Sequence, residues 1–330
     1  MSEAPDRLRA ALHTTRELAQ AISSVERGGA AADELIQAAL THLAQARGRG
    51  ATVIGVTGPP GAGKSTLVGA LTGFARESGR RVAILAVDPT SAQSGGALLG
   101  DRLRMQRHSD DPGVFIRSMA TRGHMGGLSR TTGDAALVLD AAGKSLVIIE
   151  TVGVGQDEVD IVRTADVSIV VLVPGTGDDV QALKAGIMEI ADIYVVNKCD
   201  REGAERMVTS IESNLALQHF GEGEWRPPIV KTEATNGKGI AELWATIKAF
   251  RAHSEGTRAK RLKARNEFRL RDLLTHRFLE HVERDLLGRE QFEALIERIA
   301  MREVDPYTAS SDILSAALKG GTRHPASGTK

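Results

Sequence analysis

Gly58-Pro59-Pro60-Gly61-Ala62-Gly63-Lys64-Ser65-Thr66 is the stretch whose reading decides the fold. It fits G-x-x-x-x-G-K-[ST], a loop that wraps phosphate groups. The preceding run, Thr52-Val-Ile-Gly-Val-Thr57, is apolar and reads as a buried parallel strand. A helical pattern follows from Lys64 to Glu77. Strand, glycine loop and helix therefore come in the order the motif needs. The glycines let backbone N–H groups turn inward at phosphate oxygens, and the helix N-terminus adds partial positive charge. In this motif Lys64 reaches the β- and γ-phosphates and Ser65 ligates Mg²⁺. Every residue from Gly58 to Thr66 is a nucleotide-binding candidate.

Composition narrows the class. A chain of 330 residues with 42% hydrophobic residues can bury a sizeable core, and with aromatics at 3% that core must be aliphatic. Lys+Arg and Asp+Glu both number 42, so no basic excess points to nucleic acid. Cys199 is the only cysteine, which excludes a disulfide framework and a cysteine-based metal site and fits a reducing compartment. Glu3 and Asp6, without an apolar segment beside them, do not resemble a secretory signal. No apolar run approaches the ~18 residues of a membrane span. A cytoplasmic protein is expected.

Working outward from the loop, strands alternate with helices from residue 51 to about 255. Strands are expected at 52–57, 81–87, 114–117, 145–150, 167–173, 192–196 and 228–231. Helices are expected near 64–77, 129–142, 156–164, 178–190, 203–218 and 239–253. The fold class is α/β: a doubly wound, mostly parallel sheet with helical N- and C-terminal extensions. Ligands then bind outside the carboxyl ends of the strands. Residues 1–50 read as a helical extension that packs on the chain's own core rather than on a partner, with helices near 6–25 and 31–46 separated by Gly28-Gly29. Residues 256–330 read as a C-terminal helical arm with a disordered tail over 320–330. Its basic start, Arg258 to Arg265, reads as a solvated arm or a dimer contact. The long polar segment 89–130 reads as switch loops.

Five further positions carry chemistry. Asn197-Lys198-Cys199-Asp200 closes a strand and fits N-K-x-D. Asp200 can accept from guanine N1–H and the 2-amino group together. Adenine would leave that carboxylate unpaired, at a cost of roughly 1–3 kcal/mol. The stem of Lys198 can cover the base, and Asn197 can tie this loop to the phosphate loop. Glu233-Ala234-Thr235, after the next strand, sits where a last base-contacting loop falls. Glu150-Thr-Val-Gly153 places a carboxylate for Mg²⁺ and a backbone N–H for the γ-phosphate. Asp88 and Asp101 lie on the same face; each can join the Mg²⁺ shell or orient water, and each can equally be a turn or cap residue. His124 among its glycines is read as an exposed loop histidine.

Several long strings now identify a resemblance. Val87-Asp-Pro-Thr-Ser91, Ser94-Gly-Gly-Ala-Leu-Leu-Gly-Asp-Arg-Leu-Arg-Met105, Arg117-Ser-Met-Ala-Thr-Arg-Gly-His-Met-Gly-Gly-Leu128 and Glu150-Thr-Val-Gly-Val-Gly-Gln156 join the two motifs above. Together they resemble the MeaB/ArgK-type P-loop GTPases, chaperones of adenosylcobalamin-dependent methylmalonyl-CoA mutase. Ala92-Gln93 and Cys199 are small departures from that pattern. The resemblance implies a Mg²⁺-dependent GTPase, cycling between GTP and GDP, that gates cobalamin loading and protects or reactivates an acyl-CoA mutase. It implies Lys64, Asp101 and Glu150 in catalysis, and Ser65, Asp88, Asp101 and Glu150 around the metal. It places a partner-sensing loop at Gln181 and Lys184, and it implies a homodimer through the C-terminal arm. The alternatives are a GTPase inserting metal into urease or hydrogenase, which would need a metal-binding tract, and a nucleotide-dependent kinase, which would usually read adenine.

Overall fold

The computed structural model of the protein describes residues 14–46, 50–88, 108, 110–120, 127–151, 164–175 and 190–320. Asp101, His124, Gly153, Gln181, Lys184 and the segment 321–330 lie outside them, as does the side chain of Asp88. The chain divides into two compact units, Met1–Arg261 and Leu262–Lys330.

The first unit is built on seven parallel strands: β1 (Thr52–Thr57), β2 (Val82–Asp88), β3 (Val114–Ala120), β4 (Leu146–Thr151), β5 (Val167–Leu172), β6 (Ile193–Asn197) and β7 (Ile229–Thr232). Their order across the sheet is β3-β2-β4-β1-β5-β6-β7, and every neighbouring pair is parallel. The expected α/β architecture is the observed one. Chain direction across the sheet reverses at β1, with β4 on one side and β5 on the other, which makes the carboxyl end of β1 the switch point where ligands bind. β3 runs three residues beyond its expected end because Ser118, Met119 and Ala120 pair with Ala86, Val87 and Asp88, although Ser118 interrupts the apolar run.

The strands are nearly all apolar because both faces are covered. Alternate residues go to opposite cores. Ile54, Val56, Ile84, Ile148 and Ile169 pack under α3 (Lys64–Glu77) and α6 (Ile240–His253). Ala83, Leu85, Phe115, Val147 and Ile149 face the other way. They pack with α1 (Thr15–Arg27), α2 (Ala30–Gln45) and α4 (Gly127–Ala141). Tyr194 and Val196 pack with Met207, Ile211 and Leu215 of α5 (Ala204–Ala216).

The N-terminal helices thus complete the covering of the β2–β3–β4 face. Leu18, Ile22, Val25, Leu35 and Ala39 supply their contact stripe. Thr14 caps α1: its hydroxyl oxygen accepts from Glu17 N at 3.2 Å, and the hydroxyl donates to the Glu17 carboxylate at 2.6 Å. Arg117 on β3 donates to Ser23 Oγ at 2.9 Å and pairs with Glu26, pinning α1 to the strand.

At the amino ends of the strands, carboxylates hold backbone N–H groups: Asp140 that of Ala51 at 2.7 Å, Asp166 that of Val53 at 2.9 Å and Asp192 that of Ser168 at 2.8 Å. Burial pushes the Asp192 carboxyl up, and Arg261 draws it back. Arg261, half-buried, does more than line a basic face: its guanidinium lies 3.4 Å from Asp192 and stacks 4.9 Å from the Phe250 ring centroid. Lys144 is buried, and desolvation with repulsion from Arg81 and Arg76 pushes its ammonium down to about 8.

The second unit contains most of α7 (Arg258–His281), a π-helical turn at Val282–Leu286, α8 (Gly288–Ala300) and α9 (Pro306–Gly320). Asp305 caps α9 by accepting from Tyr307 N at 3.0 Å and Thr308 N at 2.9 Å, with Pro306 at the first helical position. Leu270, Leu274 and Phe278, spaced by four along α7, are exposed. No helix among the described residues is long and apolar enough to cross a membrane.

Candidate nucleotide site

The site forms where β1 stops. Gly58 has φ +142°, and a Cβ there would sit 2.0 Å from Val171 O, so the loop can cross β5 only with glycine. Gly63 has φ +84°, and a Cβ there would sit 2.5 Å from Asn197 Nδ2. These glycines let the phosphate loop lie against β5 and the end of β6. Lys64, largely buried, opens α3 and bends back over the loop, donating to Gly58 O at 2.7 Å and Pro59 O at 3.0 Å. Loop carbonyls there hold the ammonium close to where phosphate oxygens would bind.

Ser65, in the first turn of α3, donates to Glu150 Oε1 at 2.5 Å. Glu150 is buried at the end of β4, beside β1 in register with Val56. A hydroxyl and a carboxylate so close are hard oxygen donors, a fit to Mg²⁺ rather than to a softer metal. One residue on, Thr151 Oγ1 donates to Thr57 Oγ1 at 3.0 Å.

Asn197 organises the other wall. It is 2% exposed. Its Nδ2 donates to Ala62 O in the phosphate loop at 2.9 Å. Its Oδ1 accepts from Thr232 Oγ1 at 3.1 Å and Ala234 N at 3.2 Å. One amide thus joins the phosphate loop, the end of β6 and the loop after β7. Lys198 has φ 55°, a left-handed conformation for a non-glycine residue, and its Nζ donates to Gly61 O at 2.8 Å. Cys199 N donates to Thr232 O at 3.1 Å, which supports the turn.

A cleft opens beside these contacts, lined by Gly63, Thr66, Asn197, Lys198, Asp200, Arg201, Glu233, Ala234 and Thr235. The structure therefore brings the N-K-x-D residues, the end of the phosphate loop and the Glu233–Thr235 loop around one space. Ser65 and Glu150 meet on the β1–β4 side. Asp88 ends β2, two strands from β1, so its backbone lies at the carboxyl edge of the sheet. Arg201 was missed by the sequence reading, since nothing marks the residue after N-K-x-D. The Thr57–Thr151 bond was missed too, because a threonine in a strand ordinarily reads as β-propensity alone.

Residues 18–286 match the family model described as "Methylmalonyl Co-A mutase-associated GTPase MeaB". The chain belongs to the MeaB family. A putative GTPase of Pyrococcus abyssi is 52% identical over 277 residues, covering 82% of this chain and 85% of the relative. The methylmalonic aciduria type A homolog of Mus musculus, described as mitochondrial, is 35% identical over 321 residues, covering 93% and 77%. GTPase ArgK of Escherichia coli is 38% identical over 259 residues, covering 76% of each chain. A solved structure titled as a LAO/AO transport system kinase superposes with a TM-score of 0.66 at 26% identity, over 95% of this chain and 97% of that one. Like the MeaB family it belongs to, the chain is a GTPase that binds GTP and GDP, and the family is associated with methylmalonyl-CoA mutase.

Proposed function

We propose that this GTPase is a metallochaperone that gates adenosylcobalamin loading and protects or reactivates an acyl-CoA mutase of the methylmalonyl-CoA type. The observation that carries the nucleotide half of the reading is the Asn197 clasp, which ties the guanine-type loop to the phosphate loop around one cleft. The family description and the name of the mouse relative support a mutase client.

In this reading the Gly58–Thr66 backbone receives the β-phosphate. Lys64 exchanges its carbonyl partners Gly58 O and Pro59 O for phosphate oxygens. Ser65 and Glu150 would hold Mg²⁺, with Asp88 and Asp101 completing the carboxylate set; when bound, the ion neutralises charge developing on the β- and γ-phosphates. Glu150 and Asp101 orient the attacking water, Gly153 donates its N–H to the γ-phosphate, and Asp200 reads guanine while the Lys198 stem covers the base. Glu233, Ala234 and Thr235 close the base side. Gln181 and Lys184 sense the mutase, so that loss of the γ-phosphate is reported to the client. The exposed Leu270, Leu274 and Phe278 face of α7 supports a homodimer through the C-terminal arm.

The test is GTP turnover with and without purified candidate mutases, with Lys64→Ala as the blank. Faster turnover with one mutase is expected, blunted in Gln181→Ala and Lys184→Ala, whose basal rates stay near normal. No stimulation by any adenosylcobalamin mutase would remove the chaperone reading. In the same preparation Asp200→Asn should relax the preference for GTP over XTP, and an unchanged preference would remove the base assignment.

A further inference from the structure

The ladder between β1 and β4 stops one residue before the site is complete. Its last pair is Val56↔Glu150. On the far side of each strand pairing continues, to Thr57↔Val170 with β5 and Val87↔Thr151 with β2. β1 and β4 therefore lose their backbone coupling one residue beyond Glu150, where β1 gives way to the phosphate loop. At that position the threonine hydroxyls meet at 3.0 Å, with Thr57 0% and Thr151 1% exposed.

Strand alternation places this bond on the opposite side of the sheet from Glu150. Ile148 packs in the core under α3, while Val147 and Ile149 pack with α4, on the side shared by Thr151. The hydroxyls thus stand behind the site, on the face away from the Glu150 side chain. An apolar β-branched residue would fill the same volume there without desolvating a hydroxyl. Thr57 precedes Gly58 directly and Thr151 follows Glu150 directly, so the bond carries the β1–β4 coupling one residue past its last ladder pair, to the start of the phosphate loop.

We propose that Thr57 and Thr151 are positioning residues for hydrolysis: their hydroxyl bond holds Glu150 at its working distance from the phosphate loop. The inference rests on the reading of Glu150 as the hydrolytic carboxylate.

The experiment uses the full chain with Thr57→Val, Thr151→Val, the double variant and the two serine variants, alongside Glu150→Gln. Each valine variant should lower kcat for GTP about tenfold or more, as small displacements in a site do. GDP affinity should stay within about twofold of wild type, and the Mg²⁺ concentration for half-maximal rate should rise. The double variant should be no worse than the poorer single variant, because one bond is lost once. Serine at either position should restore the rate. The proposal is overturned by valine variants with wild-type kcat, by losses that multiply in the double variant, or by GDP affinity falling in step with kcat. Since each residue has its own valine variant, poor folding of one leaves the other to decide. If Glu150→Gln hydrolyses GTP at the wild-type rate, the reading of Glu150 fails; if it is inactive and the valine variants are not, only the positioning role fails.

Discussion

Replacing Asn197 with alanine tests the architecture of the site most directly. The side chain is buried, and three hydrogen bonds would go at once: to Ala62 O at 2.9 Å, from Thr232 Oγ1 at 3.1 Å and from Ala234 N at 3.2 Å. The cost comes mainly from the partners left behind. Each buried group without a partner costs about 1–3 kcal/mol. Water entering from the adjoining cleft can satisfy part of that demand, so the low end applies and the sum is about 3 kcal/mol. Nucleotide binding should weaken as well, because Ala62 would no longer be tied to the loop that carries Asp200. A tenfold loss corresponds to about 1.4 kcal/mol, less than half of the stability cost. Urea unfolding of the nucleotide-free chain measures the first effect, and titration with a fluorescent GDP measures the second. Asn197→Asp sharpens the test. It keeps an acceptor for Thr232 and Ala234 but sets a buried carboxylate oxygen against Ala62 O, so the tie to the phosphate loop becomes repulsive and both stability and affinity should fall at least as far as in Asn197→Ala. A stability loss under about 1 kcal/mol in Asn197→Ala, with GDP affinity unchanged, would refute the reasoning.

Gly63→Ala should lose nucleotide binding by more than about tenfold and stability by about 1–2 kcal/mol, the cost of a left-handed residue with a side chain; its Cβ would press on Asn197 Nδ2 at 2.5 Å, so wild-type GDP affinity would contradict the geometry. Lys144→Met should stabilise the fold below pH 8. The ammonium has its value pushed down to about 8 from 10.5 by burial. Below about 8 both folded and unfolded states hold the proton and the whole penalty is present; between about 8 and 10.5 the unfolded state alone holds it, so stability rises with pH across that window. The gain from methionine, of order 1–3 kcal/mol at pH 7, should therefore fade toward pH 10.5, and a gain that does not change with pH would speak against a buried charge as its cause.

The phosphate loop, its flanking strand and helix, and the N-K-x-D string were legible because each is a local arrangement. A glycine spacing, a run of apolar residues and a strand end are written in consecutive positions. The alternation of strands and helices likewise announced a parallel sheet, since parallel strands need long crossover connections. Family membership, too, was readable in the long strings from Val87 to Gln156.

Strand order was not legible, because no local signal says that β4 lies between β2 and β1. That order is decided by tertiary packing, and it puts Glu150 in register with Val56 and within 2.5 Å of Ser65. The N-terminal helices read as an extension packed on the core, and the fold shows where: Leu18, Ile22 and Leu35 share a core with Leu85 and Ile149, because half of one sheet face needs them as cover. Arg261 read as one charge in a basic run, and only the fold brings Asp192 and Phe250 to it. By itself, then, the sequence determined which residues can grip phosphate and read guanine, since those abilities belong to side-chain type and short spacing. Tertiary structure decided what holds them together: one amide joining three loops and two threonine hydroxyls meeting behind the carboxylate, contacts between positions far apart in the chain.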